Sequence, residues 1–212
     1  LDRPQRAKDP SEWIERLFHA IGPRTRWAQA AGAEYVLEIT GLSVNAPTTR
    51  SHLWISFADA SSRIQTRGAD MDTTMVIGPT GGWTKTLTEV REFPPATCER
   101  FRSSVRVNPY RVLHDLATGA AEDLDLDDKG RLTGTLPNGE QFTLEVGEDA
   151  RPIALHIITG GEETGTRYSD WTAAGKVEYA RRSASTGEPP IERQLSDFVL
   201  HKELDAQLFE RP

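Results

Sequence analysis

The most suggestive segment for chemistry is the glycine-rich run 78–86, because glycine-rich loops that lead into a lysine bind phosphate. A loop of this type needs its lysine directly after a glycine, so that backbone N–H groups and the ammonium meet the same phosphate. Here Trp83 and Thr84 separate Gly82 from Lys85. We therefore predict a hairpin turn, in which the glycines supply the positive φ angles that other residues resist.

A second candidate is the run of aspartates between residues 123 and 128, which imitates a calcium-binding loop. Such a loop needs a glycine at its sixth position and an acid at its twelfth. When the count starts at Asp125, Gly130 takes the sixth position but Leu136 takes the twelfth. We predict a solvated strand and turn at this place.

The histidines, the cysteine and the serines form no recognisable constellation. Cys98 has no CxxC partner and no histidine near it in sequence, which favours an inert thiol over a nucleophile. No serine lies in GxSxG, and the histidines lack HExxH or comparable metal-ligand spacing. The histidines are His19, His52, His114, His156 and His201. The sequence therefore predicts a protein that is not an enzyme, with no catalytic residue, no metal and no cofactor.

Composition narrows the class of protein further. A chain of 212 residues fits one large domain, which should bury roughly 70% of the surface of its unfolded chain. A mean hydropathy of -0.53 leaves no stretch near the roughly 20 apolar residues of a membrane-spanning helix. The net charge of -7, with both signs interspersed, argues against nucleic acid as a partner. We predict a flexible segment over residues 1–9 without the apolar core of a signal peptide, and one domain over residues 10–212.

Local patterns predict helices at the start and in the middle of the chain. Asp9 is a capping candidate, Pro10 fits the first helical position, and apolar residues recur on one face until Ile21. A weaker helical turn is predicted over residues 27–31. Two central helices are predicted, from about Ala96 to Val107 and from Pro109 to Leu116, as an insertion between two stretches of sheet.

The remaining segments alternate apolar and polar residues and are separated by turn residues, which is typical of antiparallel strands. We count about ten or eleven strands. An open twisted sheet of this size does not stay flat, so the predicted fold class is α+β with a strongly curved antiparallel sheet.

Three modest helices are too few to fill the concave side of such a sheet, which indicates an apolar cavity between sheet and helices. Ordinary core packing is the alternative for each apolar strand residue and stays open. The cavity candidates are Leu37, Ile39, Leu53, Ile55, Phe57, Met75, Ile77, Trp83, Phe142, Leu144, Ile157 and Tyr168.

These features together resemble a known superfamily. An amphipathic first helix, the hairpin at Gly81-Gly82-Trp83, a proline-initiated helical insertion, the segment 168–171 and the ending 208–212 are similar to the periplasmic lipoprotein carriers typified by LolA and LolB. The resemblance runs from about Asp9 to the end. It implies an incomplete β-barrel, with the N-terminal and central helices covering its concave face and a hydrophobic cavity for acyl chains. It also implies a periplasmic or cell-envelope location and a helical insertion that acts as a lid.

The function expected from this resemblance is the binding or carriage of a lipid, or of the acyl chain of a lipoprotein, without chemistry. The expected partners are a lipid or an acylated protein. Unlike lipidated relatives, the chain shows no acylated cysteine near its start, since Cys98 lies in mid-chain. The alternative is an interaction or structural domain of the envelope, with a filled core, that binds a protein partner. An enzyme acting on a hydrophobic ester is the third possibility.

Overall fold

The structure, a computed structural model, describes residues 9–40, 48–68 and 71–211. The prediction of a flexible segment over residues 1–9 falls outside the described residues, except for Asp9. The helices are α1 (Pro10–Ile21), α2 (Arg24–Ala28), α3 (Pro95–Arg106), α4 (Pro109–Thr118) and a short 3-10 helix, η1 (Ala206–Phe209).

The strands contain more residues than the helices. They are β1 (Gly32–Thr40), β2 (Thr49–Ser56), β3 (Ser62–Gly68), β4 (Met71–Ile77), β5 (Gly82–Lys85), β6 (Val90–Glu92), β7 (Glu122–Leu126), β8 (Leu132–Thr135), β9 (Gln141–Val146), β10 (Pro152–Thr159), β11 (Glu162–Ala174), β12 (Val177–Ser185) and β13 (Glu192–His201).

These strands form one antiparallel sheet in the order β6-β5-β4-β3-β2-β1-β13-β12-β11-β10-β9-β8-β7. The sheet is open in the described part of the chain, since β6 and β7 are its edges and do not pair with each other. The predicted α+β class is confirmed, but the described residues form 13 strands and not ten or eleven. One reason is that the run 83–90 contains a turn, closed by the Thr86 N–H donating to the Glu89 carbonyl at 2.9 Å, which divides β5 from β6.

The chain divides into two compact units. Unit 1 comprises Leu1–Ala28 and Leu113–Glu192, and unit 2 comprises Gln29–Val112 and Arg193–Pro212. Unit 1 therefore contains α1, α2 and β7 to β12, whereas unit 2 contains β1 to β6, α3, β13 and η1. That residues 10–212 form one domain stays a prediction.

Helix α1 anchors the core of unit 1, and its predicted bounds are confirmed. The Asp9 carboxylate caps it by accepting from the Glu12 N–H at 2.9 Å. The helix contacts β7 and β12. Five of its twelve residues are buried, at the predicted one-face spacing: Trp13, Ile14, Leu17, Phe18 and Ile21.

Glycine is required where α1 ends. Gly22 has a φ of 109°, and a Cβ there would lie 2.4 Å from the carbonyl oxygen of Lys176. The next helical turn starts earlier than predicted, at Arg24 and not at Trp27, because Pro23 presets the backbone just before a helix start.

Helix α3, in unit 2, is attached more weakly. Pro94 stands at its start without a side-chain capping bond, and Cys98 and Val105 are its buried residues. The helix contacts β4. Its predicted bounds, and those of α4, agree with the structure to within two residues.

Candidate functional site

Strand register in unit 2 places six of the predicted cavity residues on one face of the sheet. Side chains directly opposite each other in an antiparallel pair share a face. Tyr35, Leu53, Ile64 and Met75 form one row across β1 to β4. We call this the Leu53 face. The six predicted residues on it are Leu37, Ile39, Leu53, Ile55, Met75 and Ile77.

One end of the Leu53 face is closed. The row through Ala33, Ile55, Ser62 and Ile77 has exposed fractions of 0%, 2%, 4% and 0%. Predicted cavity residues in this closed end, Ile55 and Ile77, therefore lie in the packed core. Phe57, just beyond β2, is 2% exposed and is equally buried; its carbonyl accepts a hydrogen bond from Arg111.

The other end of the same face is partly open. Leu37 and Ile39 on β1, Ile64 on β3 and Met75 on β4 are half-buried, and we call these four residues the open end. One polar pair lies among them: the Ser51 and Thr66 hydroxyls are 2.8 Å apart, so each satisfies the other. The open end is thus an apolar surface interrupted by one polar row, in which this pair leaves no hydroxyl of its own unsatisfied.

An aromatic cluster marks the boundary between the two ends. The Tyr35 ring lies 5.6 Å from that of Tyr110, and the Tyr110 ring lies 4.5 Å from that of Phe198. The Tyr35 hydroxyl accepts from the Asn108 amide at 3.2 Å. Burial raises the pKa of Tyr35 to about 12, although this hydrogen bond and the charge of Arg193 act to lower it.

Trp83 does not lie on the Leu53 face. In the β4–β5 pair, Gly82 is opposite Ile77 and Trp83 is opposite Val76, so the indole points to the other side of the sheet. We call that side the Trp83 face. A single binding surface therefore cannot include both Trp83 and Leu53.

The four predicted residues of unit 1 lie on neighbouring strands. Phe142 is opposite Ile157, and Leu144 is opposite Leu155. Phe142, Leu144 and Ile157 are 2%, 2% and 4% exposed, which makes them packed core. Tyr168 is half-buried on β11, opposite Ser183.

The glycine-rich run 78–86 forms a hairpin, as predicted, but Gly78, Gly81 and Gly82 do not have the positive φ angles that were expected of its glycines. The Gly78 N–H donates to the Gly81 carbonyl at 2.8 Å, between β4 and β5. Arg102 from α3 fixes this turn, because its guanidinium donates to the Gly78 carbonyl at 2.8 and 3.2 Å and to the Pro79 carbonyl at 3.1 Å. The Arg102 guanidinium therefore uses its donors on backbone carbonyl oxygens of the turn.

A groove of about 660 Å³ lies beside this hairpin. Its apolar lining includes Trp83, Phe93 and Phe209. The Cys98 thiol also lines it; the residue is 2% exposed, and its sulfur is 3.9 Å from the Phe93 carbonyl oxygen. Sequence reasoning missed this groove, since its walls come from segments more than 100 residues apart.

The aspartate run that imitates a calcium loop is a strand and turn, as predicted. The Asp127 carboxylate accepts from the Lys129 and Arg131 N–H groups, both at 2.9 Å, and from the Arg131 guanidinium at 2.7 Å. Burial acts to raise the pKa of Asp127, but these hydrogen bonds outweigh it and the net pKa is lowered. The Asp127 carboxylate thus stabilises the turn in which it lies.

Two histidines share one carboxylate on the Trp83 face. The Glu34 oxygens lie 2.7 Å from His52 Nε2 and 2.7 Å from His201 Nε2. The centroids of the His52 and Trp54 rings are also 3.8 Å apart, with the ring planes tilted by 31°. Over residues 9–40, 48–68 and 71–211, no group of three or more His, Cys, Asp or Glu side chains is arranged to hold a metal ion. Within the same ranges, no helix is long and apolar enough to cross a membrane.

Comparisons with known proteins give structural matches alone. No family model matches the sequence, and no curated protein matches it. A LolA superfamily protein from Nitrosomonas europaea is similar in structure, with a TM-score of 0.56, 12% identity, and coverage of 97% of this chain and 99% of that one. A DUF1329 family protein from Desulfovibrio piger also has a TM-score of 0.56 and 12% identity, and the match covers 96% of this chain and 98% of that one. The chain therefore has a LolA-like fold, as its sequence features indicate.

Proposed function

We propose that this protein binds a lipid, or the acyl chain of a lipoprotein, and that the open end of the Leu53 face is where the chain of the ligand lies. The binding requires no chemical step. The proposed location is the periplasm or cell envelope, as the resemblance to LolA and LolB implies, and the proposed partner is an acylated protein or a membrane lipid.

The observation that carries this proposal is the gradient of exposure along the Leu53 face. Its closed row is fully buried, whereas Leu37, Ile39, Ile64 and Met75 are half-buried on the same strands. An apolar surface that is continuous with the core, and still partly open, is suited to an alkyl chain. Each buried methylene contributes about 0.8 kcal/mol, or on the order of 10 kcal/mol for a long chain before the cost of association.

Helix α3 is the proposed lid. It has two buried residues in twelve and no side-chain cap, so its detachment from β4 exposes little apolar surface of the helix itself. Arg102 ties it to the β4–β5 hairpin through backbone carbonyls, which provides a hinge at that end. If α3 detached locally from β4, the exposed apolar surface would extend from the open end toward the closed end.

A second candidate function is protein binding at a sheet edge. Strand β6 is an edge strand, and Val90 on it and Leu87 before it are 40% and 78% exposed. The buried closed row and the buried Phe142, Leu144 and Ile157 agree with the filled core that this alternative assumes. A partner strand could pair with β6.

The test uses cis-parinaric acid, a fluorescent fatty acid, with the purified protein. We expect saturable binding by the wild type and at least a tenfold loss of affinity in Ile64→Glu and in Met75→Glu, because a carboxylate at the open end repels an alkyl chain. The matched control is Val199→Glu, a substitution of a 45% exposed residue that neighbours Phe198 in β13 and so faces away from the Leu53 face.

Circular dichroism and urea unfolding establish that each variant is folded. Folded open-end variants that bind the probe as well as the wild type would contradict the proposed surface. A loss of probe affinity in Val199→Glu equal to that in Met75→Glu would also contradict it. Wild-type protein that binds no probe, but captures a strand peptide through β6, would favour the second function.

A further inference from the structure

The Trp83 face carries a second cavity, of about 510 Å³, that the binding of an acyl chain on the Leu53 face does not use. Strands β3, β4 and β5 contribute to it, and η1 with the segment that follows it forms another wall. We call it the basic cavity. Its cationic lining residues are Arg63, Arg67, Lys85 and Arg211.

Strand register brings three of these cations together. Trp83 and Arg63 lie in one row, because both are opposite Val76 on β4. Lys85 is opposite Thr74 in the next row, which also contains Gln65. Arg67 stands two residues further along β3, so all of these side chains leave the same face of the sheet.

Within the part of the chain that the structure describes, these three cations have no carboxylate partner. Arg63 is held by neutral groups: its Nη1 donates to the Leu208 carbonyl at 3.1 Å, and its Cζ lies 6.0 Å from the Trp54 ring centroid. Among the described residues, no carboxylate oxygen lies within ion-pair distance of Arg63, Arg67 or Lys85. Because Arg63 is also half-buried, its charge is poorly compensated by water.

Trp83, which lines both this cavity and the groove beside the β4–β5 hairpin, has a buried donor without a partner among the described residues. Trp83 is 6% exposed, and its Nε1 has no hydrogen-bond acceptor among the described residues. The indole N–H can only donate, so an oxygen acceptor is the group that would satisfy it. Cations and an unsatisfied N–H therefore favour the same kind of ligand, one with anionic oxygens.

Two carboxylates also line the cavity, Asp72 and Glu210. Asp72 is opposite Arg67 in the β3–β4 register and is exposed. Arg211 is paired with Glu92 at 2.7 Å. The lining nevertheless has four cations against two acids, in a chain whose net charge is -7. The cavity is a locally positive site on an acidic protein.

We propose that the basic cavity binds a phosphate group, with Arg63, Arg67 and Lys85 as its charge partners and the Trp83 indole as a further donor. Guanidinium groups meet phosphate oxygens through paired N–H donors, and an ammonium adds a compact charge. The phosphate is either free or part of a lipid headgroup; both present the same oxygens. Because this site and the open end lie on opposite faces of the strands, phosphate binding does not depend on acyl-chain binding.

The first test is calorimetric titration with inorganic phosphate and with glycerol 3-phosphate at low ionic strength. The double variant Arg67→Gln/Lys85→Gln removes two exposed cations of the cavity, and we expect at least a tenfold loss of affinity. The control, Arg26→Gln/Lys176→Gln, removes the same charge at exposed positions of unit 1, and we expect a change of less than twofold. Equal losses in both double variants, or no binding by the wild type, would overturn the proposal.

The second test observes the Trp83 indole N–H directly by NMR spectroscopy. The chain has five tryptophans, and Trp83→Phe assigns one indole N–H signal in a proton–nitrogen spectrum. That signal should shift on titration with phosphate, and Trp83→Phe should weaken binding about threefold to tenfold, since it removes a donor but no charge. A signal that stays fixed while phosphate binds would overturn the role given to Trp83.

Vesicles distinguish the two sources of the phosphate. Binding to phosphatidylglycerol vesicles that exceeds binding to phosphatidylcholine vesicles, and that is lost in Arg67→Gln/Lys85→Gln, would support a headgroup. Binding of the two soluble phosphates without such vesicle binding would support a free phosphate. Vesicle binding that the double variant retains would overturn the headgroup source.

Discussion

The closed and open ends of the Leu53 face are built from the same strands, yet they differ in how far their side chains are exposed. Ile77 and Ile55 are 0% and 2% exposed, whereas Ile64 and Met75, one row away, are half-buried. The strand pattern itself does not produce this difference, since both ends alternate in the same way. Tertiary cover decides which part of an apolar sheet face is core and which part is available to a ligand.

The largest expected effect is a difference in the free energy of unfolding between alanine variants of two isoleucines, one at each end. Ile77→Ala removes a fully buried side chain and should lower the free energy of unfolding by about 3 kcal/mol. Ile64→Ala, at a half-buried position, should cost about 1 kcal/mol. Urea unfolding of both variants measures the difference. Equal costs would mean that the open end is as well packed as the closed one.

The next effect comes from Tyr35, at the boundary. Its folded-state pKa of about 12 lies above the ordinary value of 10.0, so the unfolded chain ionises first as pH rises. The stability that this group contributes is therefore complete below pH 10 and is lost as pH rises toward 12, up to roughly 3 kcal/mol.

Unfolding of the wild type and of Tyr35→Phe between pH 9 and 12 measures this contribution. The variant loses the hydrogen bond from Asn108 at every pH, but its stability should fall less steeply above pH 10. Parallel curves for the two proteins would show that Tyr35 is accessible to water, and hence that the closed end does not extend to it.

The third effect concerns α3, the proposed lid. Amide hydrogen exchange in α3 should be at least tenfold faster than in α1, because α3 has two buried residues and α1 has five in helices of equal length. Mass spectrometry of exchanged peptides gives both rates in one experiment. Equal protection would contradict the assignment of α3 as a lid.

The smallest expected effect concerns the capping of α3 compared with that of α1. Pro94→Asp gives α3 the side-chain cap that Asp9 provides for α1, and should stabilise α3 by about 0.5 kcal/mol. Exchange in α3 should slow about twofold, while exchange in α1 stays unchanged. Removal of the cap in Asp9→Ala should cost about 1 kcal/mol and serves as the reciprocal control.

The sequence predicts those parts of the fold that short segments determine. Helix α1 is correct at both ends because its cap, its proline and its apolar spacing lie within 14 residues. The turn that divides β5 from β6 is missed, because residues 86–89 contain no glycine, proline or asparagine to mark it.

The candidate sites depend on register, which no single segment contains. Trp83 looks like a continuation of the row of Ile77 until the pairing shows that Gly82 takes that place. Ile64 stands between Arg63 and Gln65 in a polar strand, and its alignment with Leu53 and Met75 is what makes it part of the open end. Resemblance to LolA and LolB indicated the fold but could not assign these faces.

One strand pair has a consequence for how the protein folds. Nearly all neighbours in the sheet are successive in sequence, but β1 pairs with β13. The Glu34–His201 contact spans 167 residues, whereas the Ser51–Thr66 contact in a hairpin spans 15. Loop-closure entropy makes the longer contact about 2 kcal/mol more costly to form. The hairpins can therefore form early, and unit 2, whose two segments lie far apart in the chain, completes its sheet when the last strand arrives.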